Sequence, residues 1–443
     1  MDSTQTSSSI AIIDGRALRL RQANREDVIC VPACLRDLLP PEHLACRVWE
    51  MVERLDLSEF YIDMVVEEGT PGAPATDPKI LVAVWIYATL QGESSARRVA
   101  TLCVEHLACI WLCGGVTVNY HTLSDFRVDH EEALDHLFTQ VVQRLDEAGL
   151  VEFKAHAQDG MRVRASAGAA SFHRQATLEK ALTQACEEQT ALHQSATGEA
   201  SSCSTRERAA QERAVREHIE RLEAALTELP AVRAAKPAAE RAEARVSSTD
   251  PQARVMKMAD GGFRPAYNWE FAVDTACLVI TGVEVVNTGS DKAQAEPMLG
   301  QVNDRCGQLP EDWLMDGGFV TLAAIEAAEA RGVRVLAPVP EPKDETRDRY
   351  APLPGDAPAV AAWRERMGTA EAKETYKLRA ATVECVNAQA RSSNGVYQVR
   401  VRGRAKVRCV ALWVAIAHNL RIWMRHPYQP LTTAVKEPAG AVG

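Results

Sequence analysis

Hydrophobic and polar positions alternate in different ways along the chain, and the first pattern is helical. From about residue 40 to residue 150 apolar side chains recur every three or four positions, as in residues 43–55 and 133–145. This spacing predicts amphipathic helices. The Pro- and Gly-rich stretch 69–78 interrupts them and predicts a surface loop. We therefore expect the first part of the chain to be mostly helical.

Residues 172–246 carry two apolar seams at heptad spacing, separated by the polar stretch 195–205. Such seams predict two helices that pack against each other. The simplest arrangement is an antiparallel helical hairpin that is inserted between strands and protrudes from the core. The seams consist of Leu178, Leu182, Ala185 and Leu192, then Val215, Ile219, Leu222, Leu226 and Leu229.

The remaining segments predict an α/β core, because short apolar runs are flanked by turn residues. The predicted strands are residues 151–167, 267–274, 277–287, 313–319 and 333–339, with a helix at 321–330 and a Pro-rich linker at 338–358 before a final helical segment. The predicted organisation is a helical N-terminal domain (1–150), a core (151–171 and 247–426), the inserted hairpin (172–246) and a flexible tail (427–443).

Composition narrows the class of protein. The longest apolar runs, such as residues 80–88, are far shorter than the roughly 20 residues that cross a bilayer, so we expect no transmembrane helix. The N-terminal residues lack the pattern of a secretory signal, which favours a cytoplasmic protein. The 12 scattered cysteines are then expected to be free thiols.

Charge is distributed unevenly, although the whole chain has a net charge of −10. Residues 1–150 contain 12 Lys or Arg and 23 Asp or Glu, whereas residues 391–426 contain eight basic residues and no acidic one. An acid-free basic segment is typical of a surface that contacts nucleic acid phosphates.

Three acidic residues lie at positions that suit metal binding or catalysis by a carboxylate. Asp159 falls in the first core strand, where a buried carboxylate is costly unless it is paired or binds a metal. Asp316 follows a short strand, where α/β folds place their ligands. Glu384 lies in a helical segment. The alternatives are a turn Asp beside Gly for Asp159, a turn or cap Asp for Asp316 and a solvated side chain for Glu384.

Converging carboxylates form a hard-oxygen site that suits Mg²⁺. Two such ions activate a nucleophile and stabilise the leaving oxygen in phosphoryl transfer. Asp159, Asp316 and Glu384 are therefore the predicted ligands of two Mg²⁺ ions, which Mn²⁺ would be able to replace.

Several long motifs in a fixed order resemble the DDE transposases of bacterial insertion sequences. They are residues 95–127, 158–167, 250–274, 314–319 and 376–420. The resemblance implies an RNase H-like catalytic core in which Asp159, Asp316 and Glu384 form the catalytic triad. It also implies binding and cleavage of terminal inverted repeats, strand transfer to target DNA and a homodimer in the synaptic complex.

The helix signature of this family places Tyr, Arg, Glu and Lys at fixed spacing, and the chain departs from it. Tyr376 and Arg379 are correctly spaced, but one extra residue precedes Glu384 and Arg391 stands where Lys is usual. The extra residue rotates Glu384 by about 100° relative to Arg379. By the resemblance Tyr376, Arg379 and Arg391 contact the transposon end, or alternatively form a solvated helix face. Glu371 and Glu374 are fallback candidates for the third carboxylate.

Other basic residues are expected to contact phosphates. In the basic segment these are Arg400, Arg402, Arg404 and Lys406. Residues 93–128 are interpreted as a possible helix-turn-helix, in which the available contacts are Arg97, Arg98 and Arg127. A helical packing domain is the alternative, favoured by the acidic charge of this region.

Two weaker interpretations complete the expectations. Cys103, His106, Cys109 and Cys113 have an irregular zinc-ligand spacing, but a continuous helix with small buried cysteines is preferred. The irregular signature before Glu384 also keeps open a catalytically inactive, transposase-derived DNA-binding protein. A general nuclease without strand transfer is a third possibility.

Overall fold

The computed structural model describes residues 8–13, 16–21, 34–62, 64, 74–195, 205–342 and 347–425. The predicted tail, 427–443, lies outside them. The helices are α1 (Leu44–Val52), α2 (Pro78–Leu90), α3 (Ala96–Glu105), α4 (Leu107–Cys113), α5 (Tyr120–Phe126), α6 (Glu131–Glu147), α7 (Gln175–Ser195), α8 (Thr205–Ala234), α9 (Ala295–Cys306), α10 (Leu322–Ala330), α11 (Pro358–Gly368), α12 (Ala370–Ser392) and α13 (Arg404–Arg425). The strands are β1 (Ser8–Ile13), β2 (Arg16–Arg21), β3 (Ala155–Arg164), β4 (Phe172–His173), β5 (Val246–Ser247), β6 (Arg254–Lys257), β7 (Phe263–Asp274), β8 (Ile280–Val286), β9 (Asp312–Leu314) and β10 (Arg334–Leu336).

A mixed six-stranded sheet flanked by helices forms the centre of the fold. Strands follow the order β10, β9, β3, β7 and β6, and β8 pairs with a second stretch of β7. β3 runs parallel to β9 and antiparallel to β7, so it is the central strand where the two pairing modes meet. The predicted α/β class is therefore confirmed at the level of a mixed sheet with flanking helices.

The N-terminal helices and the last helix share one hydrophobic core with the sheet. α2 begins at Asp77, whose carboxylate accepts the Lys79 N–H, and has Pro78 in its first turn. Its side chains are apolar all round and almost all buried, as expected for a helix surrounded by other elements. α13 packs against both α2 and α6. The predicted domain boundary at residue 150 therefore runs through a continuous core and stays a prediction.

The segment predicted as a hairpin consists of α7 and α8, which pack through the expected seam. Leu178, Leu222 and Leu229 are buried there. At its base β4 pairs antiparallel with β5, which brings the two ends of the insertion together. The Arg254 guanidinium on β6 donates to the Glu228 carboxylate on α8 and ties the hairpin to the sheet.

The continuous helix predicted through the cysteine cluster is wrong. α3 ends at His106, whose extended backbone separates it from α4. This break lets the two helices pack together, and the buried Cys103 thiol lies against Cys113. Hydrogen bonding with Cys113, together with burial, raises the pKa of Cys103.

Other features were not expected from the sequence. The strands β1, β2, β4, β5 and β6 had no counterpart among the predicted elements. Among the described helices, none combines the length and apolar character needed to cross a membrane.

Candidate active site

Strand register brings the two predicted aspartates together. β3 pairs with β9 at His156–Trp313 and Ala157–Leu314. Asp159 and Asp316 each lie two residues beyond the last of these pairs, Asp159 within β3 and Asp316 in the turn that follows β9. The Asp316 charge acts to raise the pKa of Asp159, which places the two carboxylates within electrostatic reach of each other. Carboxyl ends of parallel strands are where open α/β sheets bind ligands.

Asp159 is held from one side by α12. The Arg379 Nη1 lies 3.4 Å from Asp159 Oδ1, and Asn387 Nδ2 donates to Oδ2 at 3.0 Å. Burial raises the pKa of Asp159 to about 6 despite the opposing charge of Arg379. The positive charge of Arg379 therefore does not offset the cost of burying this carboxylate in its ionised form.

Glycines next to both aspartates let other groups approach closely. A methyl group at Gly160 would lie 2.9 Å from Asn268 Oδ1 and 2.9 Å from Asp291 Oδ1, closer than real carbon atoms come. One at Gly318 would lie 2.9 Å from Asp316 Oδ1, which accepts the Gly318 N–H at 2.7 Å. Asp159 lies inside β3 and not at a turn, so the adjacent glycine serves the close contact.

Sequence reasoning missed two acidic residues in this cluster, Glu270 and Asp291. Asn268 Nδ2 donates to Glu270 Oε1 and to Asp291 Oδ1, each at 2.6 Å. Burial first, and then the neighbouring Asp291, raise the pKa of Glu270 to about 9. A charged residue between the large apolar side chains of Trp269 and Phe271 in β7 was the available signal for Glu270, of the same kind as the signal that identified Asp159.

Residues of the helix signature on α12 differ in whether they contact the acidic residues or solvent. Tyr376 stacks against Arg379, with the guanidinium 6.0 Å from the ring centre, and the charges of Asp316 and Asp159 act on its hydroxyl. Glu384 is exposed. It precedes Asn387 by three residues, so the two lie on adjacent turns of one side of the helix.

The fallback glutamates point elsewhere. Glu374 is exposed and pairs with Lys377 at 2.6 Å. Glu371 is also exposed and acts on Arg334, at the start of β10. Neither lies among the groups that act on Asp159.

Within the described ranges no three His, Cys, Asp or Glu side chains are close enough together to hold a metal ion. The donor chemistry around Asp159 nevertheless fits a hard divalent cation, because carboxylate oxygens are its preferred ligands. Glu270 Oε2 is buried and has no hydrogen-bond partner among the described residues. Asp159 and Asp316 therefore suit a cation, whereas Glu384 is not in contact with them in this conformation.

The basic segment begins beside the strand that carries Asp159. Val399 N donates to Arg164 O, at the end of β3. The side chains of Arg400, Arg402, Arg404 and Lys406 are exposed and Arg391 is half-buried. Arg408, by contrast, is paired with Glu131 and Asp135 of α6.

Asp250 fixes the turn of this basic segment that precedes α13. Its Oδ1 accepts from Tyr267 Oη at 2.7 Å and from the Gly403 N–H at 3.1 Å. Gln252 Oε1 accepts the next amide, that of Arg404, at 2.7 Å. The motif 250–274 thus connects the sheet to the turn that opens α13.

The predicted phosphate contacts of the N-terminal part are placed unequally. Arg97 is exposed and stacks on Tyr120, and Arg98 pairs with Glu105 at 3.8 Å. Arg127 is only 6% exposed, donates to the Ser94 carbonyl and stacks on Trp85. Its burial speaks against a phosphate contact, and its guanidinium supports the packing of α2 instead.

Two family models match the chain. One is described as a transposase DDE domain and matches residues 356–423. The other is described as a transposase domain (DUF772) and matches residues 33–129. No curated protein and no solved structure matches the chain significantly. The first match contains Tyr376, Arg379 and Glu384, whereas Asp159 and Asp316 lie outside both.

Proposed function

We propose that this chain, which belongs to the DDE transposases of insertion sequences, cuts DNA at the terminal inverted repeats of its element. The free 3′ hydroxyl is then joined to target DNA. The mixed sheet flanked by helices supports an RNase H-like core for this chemistry. A homodimer would pair the two transposon ends.

The observation that carries the proposal is the position of Asp159 and Asp316. They follow paired residues of two adjacent parallel strands, and the Asp316 charge adds to the cost of ionising Asp159. A fold that keeps two such carboxylates side by side suits a site for a divalent cation.

Asp159 and Asp316 would hold Mg²⁺, or Mn²⁺ in its place, and Glu384 would complete the second of two sites. Bound divalent ions supply activation of the nucleophile and stabilisation of the leaving oxygen in phosphoryl transfer. The role of Arg379 and Asn387 is to orient the Asp159 carboxylate, which both contact. Glu384 lies on the turn of α12 next to Asn387, and its side chain would have to turn inward.

DNA would run from this centre towards the basic segment. Arg164, which bonds to Val399, is five residues from Asp159 along β3. This separation is about 16 Å at strand spacing, roughly half a turn of a DNA duplex. Exposed arginines at this distance would contact the phosphates that flank the scissile position.

A second candidate function is a catalytically inactive transposase-derived protein that binds DNA. The exposed Glu384 and the ion pair between Arg379 and Asp159 favour it. It predicts binding of the terminal repeat without cleavage under any divalent metal.

The deciding experiment is Mg²⁺-dependent cleavage and joining of a labelled terminal-repeat duplex. We expect activity in the wild type and its loss in Asp159→Asn, Asp316→Asn and Glu384→Gln, while Asp304→Asn on the exposed side of α9 remains active. If only the aspartate variants lose activity, the third metal-binding carboxylate is a residue other than Glu384. Binding without cleavage by the wild type would establish the inactive alternative, and cutting of unrelated DNA without joined product would indicate a general nuclease.

A further inference from the structure

We propose that the β6–β7 ribbon, residues 254–266, enters the major groove of the transposon-end DNA. Phe263 contacts the methyl groups of thymines there, and Lys257 contacts a phosphate. This inference rests on the proposed function, because it adds a contact to the same DNA. It follows from the part of the ribbon that extends beyond β3.

The tip of the ribbon projects from the sheet. β3 pairs with β7 as far as Arg164 and Ala266, and the Ala165 N–H donates to the Pro265 carbonyl at 2.9 Å. Among the described strands, the first residues of β7 pair only with β6, and β6 is the last strand in the order of the sheet. The major groove of a DNA duplex admits a two-stranded ribbon of this kind.

The turn that joins the two strands has a fixed shape. Met258 N donates to Gly262 O at 2.7 Å, and Gly261, whose φ is +81°, donates to Met258 O at 3.0 Å. Asp260 Oδ1 accepts the Gly262 N–H at 3.0 Å and Arg264 Nη1 at 2.8 Å. The tip is therefore ordered before any partner binds, which lowers the entropic cost of binding.

One face of the ribbon is packed and the other is exposed. Val255 pairs with Pro265 and Lys257 pairs with Phe263, so these four side chains share one face. On this face Phe263 is 70% exposed and Val255 is 50% exposed, and Lys257 is also exposed. Met256, on the opposite face, is buried. The ribbon thus presents an aromatic ring beside an ammonium group.

The exposed face is on the same side of the sheet as the basic segment. Tyr267 lies four residues after Phe263 on β7, so both side chains point to one side of the strand. The Tyr267 hydroxyl donates to Asp250, which also accepts the Gly403 N–H beside Arg402. Four strand residues span about 13 Å, close to the width of a major groove of about 12 Å. One duplex would therefore contact both the turn and the ribbon.

Charge favours DNA over a second copy of the chain as the occupant. Arg402, Arg404 and Lys406 are exposed on the turn and at the start of α13, and Lys257 extends this basic surface onto the ribbon. A lysine on an edge strand opposes pairing with the edge of another chain. In the major groove the apolar ring of a Phe contacts the thymine methyl group. Duplex DNA therefore suits both exposed side chains.

A comparison of two proteins on two duplexes tests the Phe263 contact. Wild type and Phe263→Ala bind the terminal-repeat duplex in EDTA, which prevents cleavage, with either thymidine or deoxyuridine at every thymine position. We expect the loss of affinity caused by deoxyuridine to be at least about threefold larger for the wild type, because Phe263→Ala lacks the partner of the methyl group. An equal loss for both proteins would overturn the inference.

Ile62→Ala is the matched control, since Ile62 is another apolar residue with 75% exposure. It should respond to deoxyuridine as the wild type does. If Phe263→Ala instead changes the oligomeric state in sedimentation and leaves DNA affinity unchanged, the ribbon is an interface between copies and the inference falls.

Salt dependence tests the Lys257 contact. In Lys257→Ala the slope of log affinity against log salt should fall by about 0.9, whereas Phe263→Ala should keep the slope of the wild type. Arg331→Ala, which also removes an exposed basic side chain, is the control. An unchanged slope in Lys257→Ala would overturn the phosphate contact.

The two proposals fail separately. If the wild type cuts the terminal repeat while Phe263→Ala responds to deoxyuridine as the wild type does, the function stands and the ribbon inference falls. If no DNA is cut but Phe263→Ala loses the dependence on thymine methyl groups, the ribbon contact stands and the transposition chemistry falls.

Discussion

Strand β3 carries polar side chains within the stretch that pairs with β9, around His156, and just beyond that stretch, around Asp159. We call these the closed and the open end of the paired stretch, and they differ in how their charges are matched. At the closed end His156 and Asp274 are both fully buried, with His156 Nε2 3.9 Å from Asp274 Oδ1. At the open end Asp159 lies among further acids and is partly exposed. One end pairs a base with an acid, whereas the other gathers acids.

We interpret the closed end as a structural polar cluster and the open end as a functional one. At the closed end Thr281 lies 3.3 Å from His156 Nδ1 and Asp274 Oδ2 accepts the Cys277 N–H, while His156 Nε2 and Asp274 Oδ1 have no hydrogen-bond partner among the described residues. The open end contains repulsion that its protein contacts do not remove. Burying like charges together is costly. Such a cluster is kept in a fold where a bound ligand compensates for the repulsion.

The largest expected effect comes from closing the space beside Asp159. In Gly160→Ala the new methyl group would press on Asn268 and Asp291, and such overpacking costs about 1–3 kcal/mol. We expect loss of DNA cleavage and a lower unfolding free energy, measured by strand cleavage and urea denaturation.

Gly300→Ala is the matched control. Gly300 lies within α9, and the nearest atom to its new methyl group is Arg331 Nη1, 4.0 Å away. This substitution should preserve cleavage and stabilise the protein by about 0.5–1 kcal/mol. Equal effects of the two changes would show that Gly160 has no special contact.

At the closed end, removal of the base should destabilise the fold. His156→Phe would leave Asp274 with one neighbour fewer, at a cost of about 1–3 kcal/mol. Urea denaturation at neutral pH measures it. An unchanged unfolding free energy would contradict the interpretation of this pair as structural.

The same pair predicts a pH dependence. Burial lowers the pKa of His156 to about 3 from its ordinary 6.5, so the unfolded chain binds a proton that the folded chain does not. The contribution of His156 to stability should therefore fall as the pH goes from about 6.5 towards 3, so the difference in unfolding free energy between the wild type and His156→Phe should shrink over this range. Parallel curves would show that His156 does not contribute.

At the open end, removal of an acid should have the opposite sign. Asp159→Asn keeps the shape of the side chain, and its amide removes a negative charge that Asp316 and Asp291 repel. Without divalent metal we expect the unfolding free energy to rise by about 1 kcal/mol while cleavage is lost. Destabilisation comparable to that of His156→Phe would show that Arg379 already balances this end.

The smallest expected effect lies in the basic segment. Arg402 is exposed on the turn that Asp250 anchors, so Arg402→Ala should remove about one phosphate contact. The slope of log affinity for DNA against log salt should fall by about 0.9, with Arg331→Ala as control. An unchanged slope would place the DNA elsewhere.

Much of this arrangement was predictable from the sequence, because local patterns determine it. Apolar runs with flanking turns identified the strands that carry Asp159 and Asp316, and heptad spacing identified α7 and α8. The cost of a charge inside a strand identified Asp159 as unusual. The same argument holds for Glu270, a buried acid in β7 that was not among the residues predicted from the sequence.

The rest depended on contacts between distant parts of the chain. Asp291 lies in a loop with no pattern of its own, and only the sheet brings it to Gly160. The orientation of Glu384 depends on the rotation of α12 against β3, which places Asn387 on Asp159. The break at His106 lets α3 and α4 pack together, and helix periodicity does not reveal it.

The most direct test of the difference between the two ends is thermal unfolding with and without Mg²⁺. A ligand that binds only the folded state stabilises it, by an amount that rises with the logarithm of ligand concentration over Kd. Mg²⁺ should raise the unfolding temperature of the wild type and of His156→Phe, and it should have no effect on Asp159→Asn or Asp316→Asn. An equal rise in all four proteins would contradict the assignment of the metal site to the acidic side chains around Asp159.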